Sequence, residues 1–247
     1  MHLINLADPT TWPRNLVGVL ERHESLFQAW FTGHSVQNGA AFDEAHAAVR
    51  GALDTCEVIG WHCTRLTDAE IVLIEADGML LPSVQLLNER IDRLVETGQI
   101  AAPIADALKR TNQAGDENRA GRLWFCFFAP GEAGESGIHR FFRHWGGEAL
   151  YNSHENNKVT SPVLASIGTP CVVEAAVQIR TLPQYSYVTQ RIIERFLWTK
   201  GLLHSEPEIP EGYTVASIEA GSIKRVIRHP DFEFMRLTSC KNWQTPI

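Results

Sequence analysis

Apolar and polar positions along this chain follow two rhythms, and each change of rhythm marks an element. Leu16, Val19, Leu20, Phe27, Trp30 and Phe31 fall near helical spacing, with Gly33 as a stop. Thr10 or Thr11 is placed to cap this first helix, with Pro13 in its first turn, where a missing amide costs nothing. Asn38-Gly39 reads as a turn, and Phe42 to Leu53 as a second amphipathic helix. No strand rhythm precedes residue 58. Residues 1–57 therefore read as a helical N-terminal arm or subdomain, and residues 58–247 as the main domain.

Val58-Ile59-Gly60-Trp61 reads as a short buried strand that delivers His62, Thr64 and Arg65 at its end. Thr67-Asp68-Ala69-Glu70 has the form of a capping box. Ile71 and Ile74, with Leu73 beside them, give the apolar stripe of the helix that follows, and Gly78 is its stop. Ser83 caps a second helix through Val84, Leu87, Ile91 and Leu94, and Pro103 opens a third. Thr111 to Gly121 holds no apolar residue larger than Ala and reads as a surface loop.

The aromatic run Arg122 to Ala129 reads as a buried strand ended by Pro130-Gly131. One helix is expected from about Ile138 through Tyr151, interrupted at Gly146-Gly147. A short helix from Ser161-Pro162 to Gly168 follows, then a strand over Cys171 to Ile179 and a helix over Val188 to Thr199. Pro207 to Gly212 is a proline-broken loop, Tyr213 to Ile218 a strand, and Ile223 to Ile227 a strand or helical turn before His229-Pro230. Helices and strands mix without regular βαβ alternation. The fold class is α+β, a small mixed or antiparallel sheet flanked by helices.

Composition narrows the function. Seven Trp and eleven Phe in 247 residues supply an ample core, and no run approaches the ~20 apolar residues that cross a bilayer. The opening residues lack the basic and apolar regions of a secretory signal, so a cytoplasmic protein without membrane attachment is expected. The five cysteines are scattered, without a CxxC pair, and read as buried thiols. A net charge of −7 argues against broad coating of nucleic acid, although Lys224 to His229 is a local basic run. Phosphate-loop, Rossmann and GxSxG signatures are absent.

The densest polar constellation is Gly137 to Glu155. On a continuous helix His144 and Glu148 share a face, Tyr151 lies further along it, and Arg140 falls on the same side. His139, His144, Glu148, His154 and Glu155 offer ligands for a metal, without the HExxH form. The bland alternative is a surface pair between Glu148 and Arg143 or His144, with Tyr151 in the core. Cys63 beside His62 points to the opposite strand face, which disfavours a thiol–imidazole nucleophile.

His62-Cys63-Thr64, the downstream Ile71 and Ile74, and Gly78-Met79 together resemble the first motif of ADP-ribosyltransferase-like proteins. The resemblance implies NAD as the cofactor, with His62 and Thr64 on its adenosine-ribose and nicotinamide side and Arg65 near a phosphate. Leu123 to Phe128 and the helix to Tyr151 look like the family's second region, in which a tyrosine stacks on nicotinamide. The family's catalytic glutamate lies near a late strand, where Glu219 is the best match and Glu211 a second; Glu148 is out of place for it. The acceptor is left open between protein, nucleic acid and small molecule, and a toxin or defence effector is implied by analogy alone. Two other classes stand beside this one. A ribonuclease or RNA phosphotransfer enzyme would use His62, His144 and Arg140 or Arg143. A partner-binding protein would expose Trp30-Phe31 and Phe141-Phe142.

Overall fold

A computed structural model describes residues 1–33, 39–183, 187–208 and 211–247. Among the described residues it is an α+β protein with one six-stranded, mostly antiparallel open sheet and eleven α-helices. The strands are β1 (His2–Ile4), β2 (Cys56–Leu66), β3 (Leu123–Cys126), β4 (Thr169–Gln178), β5 (Glu211–Thr214) and β6 (Ile223–Arg228). Their order is β5-β3-β2-β4-β6, and β1 pairs in parallel with the start of β2.

Residue contacts group the chain into two compact units. The first unit comprises Met1–Gly60, Cys126–Phe128 and Ala176–Gly212. It holds α1 (Arg14–Arg22), α2 (Glu24–Phe31), α3 (Gly39–Leu53) and α10 (Val188–Thr199). Helix α1 packs on α3, and α10 packs on both α2 and α3. Leu16, Leu20, Phe27, Val49, Leu53, Ile192 and Phe196 are buried in this unit. The first 57 residues thus contain a strand as well as helices. β1 is only three residues long, too short to show a period of two. Asp8, not Thr10 or Thr11, caps the short 3-10 turn Pro9–Thr11, and Pro13 precedes α1 without a side-chain cap. The expected turn at Asn38 and the loop through Ile209-Pro210 fall on residues outside those described; Gly39 opens α3.

The second unit comprises Trp61–Phe125, Ala129–Ala175 and Tyr213–Ile247. It contains α4 (Asp68–Asp77), α5 (Val84–Glu96), α6 (Ala102–Arg110), α7 (Gly134–Arg143), α8 (Glu148–His154), α9 (Thr160–Ser166) and α11 (Phe232–Thr238). Thr67 and Glu70 form the expected capping box, and Ser83 accepts from the Leu86 amide at the start of α5. Leu87, Ile91 and Leu94 of α5 join Leu108, Trp145, Leu150 and Leu164 in one core cluster. Ala114 belongs to the same cluster, and the Gln113 amide donates to the Ala149 carbonyl at 2.8 Å. The polar stretch 111–121 is therefore packed against the unit as well as exposed.

The expected helix from Ile138 through Tyr151 is two helices. Gly146 (φ 86°) and Gly147 (φ 58°) are both left-handed, which a right-handed helix cannot continue, and His144 before them is extended. His144 and Glu148 consequently share no helix face.

Candidate functional site

Strand β2 carries the residues singled out by sequence, and it carries them inside the strand. The trio His62, Thr64 and Arg65 lies within an eleven-residue strand, because pairing in the sheet extends it to Leu66. Side chains alternate along a strand, so His62 and Thr64 share one face and Arg65 the other. Cys63, between them, is buried as expected.

On the first face, His62 Nδ1 lies 2.8 Å from the Trp124 carbonyl oxygen. Since a carbonyl only accepts, Nδ1 carries the proton and Nε2 is left as an acceptor. Burial lowers the imidazole's pKa, the Trp124 bond opposes this, and the Arg90 charge adds to it, so the ring is held neutral. The Thr64 hydroxyl has no protein partner among the described residues.

At the far end of α4, Gly78 (φ 87°) sits against the chain before β6. A Cβ there would lie 2.8 Å from the Ala220 nitrogen and the Glu219 carbonyl carbon, and closer still to the Ile218 carbonyl oxygen. Only glycine fits. Met79 and Ile218 exchange both backbone hydrogen bonds, at 2.8 and 2.9 Å. Glu219 follows immediately, exposed and without an ion-pair partner among the described residues.

Glu148 and Tyr151 form a separate arrangement. Glu148 opens α8, accepts from the Tyr151 hydroxyl at 3.1 Å and lies 3.4 Å from Arg119 Nε. Tyr151 is 2% exposed, with the Arg140 guanidinium 4.1 Å from its ring centroid. Burial and the Glu148 carboxylate raise the phenol's pKa, so it stays protonated.

On the second face of β2, Arg65 donates through Nε to the Ile167 carbonyl at 2.7 Å and through Nη1 to the Phe142 carbonyl at 2.9 Å. It pairs with no carboxylate among the described residues, and burial lowers its pKa. Sequence reading gave no signal for this contact, since Arg65 and Phe142 stand 77 residues apart. Ser161, which meets His144 Nε2 at 3.1 Å, was likewise invisible as a partner.

Of the other candidates, several are held in contacts of the fold, while Trp30 remains exposed. In the basic run, Arg225 pairs with Glu174 and Glu233, and Arg228 with Asp68. Phe142 is fully buried, and Trp30, 43% exposed, stacks on Phe42 at 4.0 Å. No group of three or more His, Cys, Asp or Glu side chains is arranged to hold a metal ion among the described residues. No helix among them is long and apolar enough to cross a membrane. Comparison with protein-family models, with curated proteins and with solved structures finds no match to this chain.

Proposed function

We propose that this chain is an NAD-using, ADP-ribosyltransferase-like enzyme, with His62 and Thr64 as the ribose clamp and Glu219 as the catalytic carboxylate. The observation that carries this reading is the Gly78–Glu219 junction. The end of the His-x-Thr motif and a late, unpaired glutamate are distant in sequence and adjacent in space. The chemistry required is small. Breaking the nicotinamide–ribose bond sends its electron pair to nicotinamide and leaves positive charge at the sugar, which a nearby carboxylate stabilises. The acceptor's nucleophilic atom then attacks that carbon and gives up its proton, for which a carboxylate is a suitable base. A neutral His62 with a free Nε2 is suited to accept from a ribose hydroxyl, and Thr64 on the same face both donates and accepts.

Calorimetric titration of NAD, paired with an assay of nicotinamide release, tests this. His62→Ala should abolish binding. Glu219→Gln should retain binding and lose release by about 100-fold or more. Folded wild-type protein that binds no NAD would overturn the reading. Release lost in Glu148→Gln but kept in Glu219→Gln would move the catalytic role to α8.

A further inference from the structure

The last residues of the chain are held along one face of α7, where Glu135, His139 and Phe142 fall at i, i+4 and i+7. The Glu135 carboxylate accepts from two consecutive backbone amides, Gln244 at 2.7 Å and Thr245 at 2.9 Å, and both bonds face solvent. The Trp243 ring meets His139 edge-on at 5.8 Å and stacks on Phe142 at 6.2 Å. His139 is 9% exposed, and its Nε2 is buried without a partner among the described residues. A proton arriving there would become a buried N–H donor with no acceptor, which is costly. The tail is thus gripped by a few solvent-facing bonds and by a ring that suits the docked state only while neutral.

We propose that the segment Trp243–Pro246 is a latch that opens on acidification, released from α7 when His139 takes up a proton. Docked, the ring is held neutral: burial lowers its pKa first, and the Arg143 charge adds to this. The Glu135 charge and a hydrogen bond to the Pro246 carbonyl oppose them without prevailing. The Pro130–Ala133 turn that packs against α7 brings Glu132. Helix α11, whose Phe234 meets Phe142, brings Glu233 and Arg236, which pair with each other. Released, the ring regains water and its ordinary value near about 6.5. The released state therefore binds more protons. Docking is complete above about pH 6.5 and is lost as pH falls from there through the docked value. The docked Glu135 carboxyl is also lowered, first by the Gln244 amide, so its own protonation acts only below about pH 4.5. Histidine opens the latch before the carboxylate does. This inference does not depend on NAD.

The test is NMR relaxation of backbone amides in the full chain at about pH 7.5 and about pH 5, on either side of the ordinary imidazole value. Gln244 and Thr245 should pass from ordered, with order parameters of about 0.85, to flexible, below about 0.6. Val172 and Val173 in β4 should stay ordered throughout. His139→Gln, which no longer titrates, should keep the tail docked at both pH values. Glu135→Gln should loosen it at the higher pH already, because a carboxamide offers one oxygen to the two amides. If circular dichroism shows that His139→Gln does not fold, the wild-type His139 ring resonances carry the test. Their titration should coincide with the loss of order in the tail, and a separate midpoint would overturn the proposal. So would an unchanged tail in the wild type, release in folded His139→Gln, or a fully ordered tail in Glu135→Gln. Loss of order in β4 together with the tail would overturn it too, since that marks global unfolding.

Discussion

Arg65 and Glu70 stand on either side of the junction between β2 and α4, both charged and both withdrawn from water, and their surroundings differ completely. Glu70, its side chain 13% exposed, accepts from the Thr67 amide at 2.8 Å, from Arg90 Nε at 2.7 Å and from the Trp145 indole at 2.9 Å. The Arg90 guanidinium also lies over the Trp145 ring, 4.6 Å from its centroid. Burial pushes the Glu70 carboxyl up, but Arg90 and these donors outweigh it and hold the pKa below the ordinary carboxylate value. Arg65 has only carbonyl partners and is shifted by burial away from its charged form. A buried charge whose complement is supplied by the fold holds that fold together. One oriented only by neutral carbonyls is left, among the described residues, without a counter-charge.

The largest effect that sharpens this contrast is expected at Glu70. Glu70→Ala removes the carboxylate half of the capping box and strands Arg90 and the Trp145 N–H, costing about 3–5 kcal/mol. It should appear as a lower urea midpoint at unchanged slope. A loss under about 1 kcal/mol would put Glu70 in the same class as Arg65.

Gly78→Ala comes next, at about 3 kcal/mol, since its Cβ meets the backbone of Ile218–Ala220 and its φ is positive. Nicotinamide release should fall with it, because Glu219 sits on the displaced segment.

Acidification should separate the two charges. The pKa values of His62, His139, His144 and His229 are lowered, first by burial. The unfolded chain therefore binds more protons than the folded one between about pH 6.5 and the lower folded values. Stability contributed by these neutral rings is complete above about pH 6.5 and is lost as pH falls through the folded values. The carboxylates of Glu70 and Glu233 are also depressed, Glu233 to about 2, chiefly by the Arg236 hydrogen bond, with Arg225 adding to it against a burial penalty. Their contribution is present above about pH 4.5 and disappears as pH drops below it. Thermal melts against pH should thus show two declines. His229→Asn should shrink the upper decline and spare the lower one.

Arg65→Met should cost less than about 2 kcal/mol, because the lost bonds to two carbonyls are offset by relief of an unpaired buried charge. Equality with Glu70→Ala in denaturant melts would break the contrast. Thr64→Val is the smallest, within about 0.5 kcal/mol in stability, yet it should weaken NAD binding in calorimetry.

The sequence by itself determined the elements whose causes lie within a turn or two of chain. The Thr67–Glu70 box, the Ser83 cap, the Gly78 stop and the helix Val188–Thr199 are interactions between residues three or four apart, so local spacing fixes them. The same holds for the opposite facing of His62 and Cys63 on a strand. Tertiary structure decided how far β2 extends, because strand pairing draws on partners elsewhere in the chain. It also decided that Gly146 and Gly147 divide two helices, since their left-handed conformations accompany the docking of Trp145 in the core. It alone gave Glu70 its arginine and indole, Arg65 its two carbonyls, and Gly78 its contact with Glu219. Those partners are selected by which surfaces pack together, and packing joins residues whose separation along the chain carries no pattern to read.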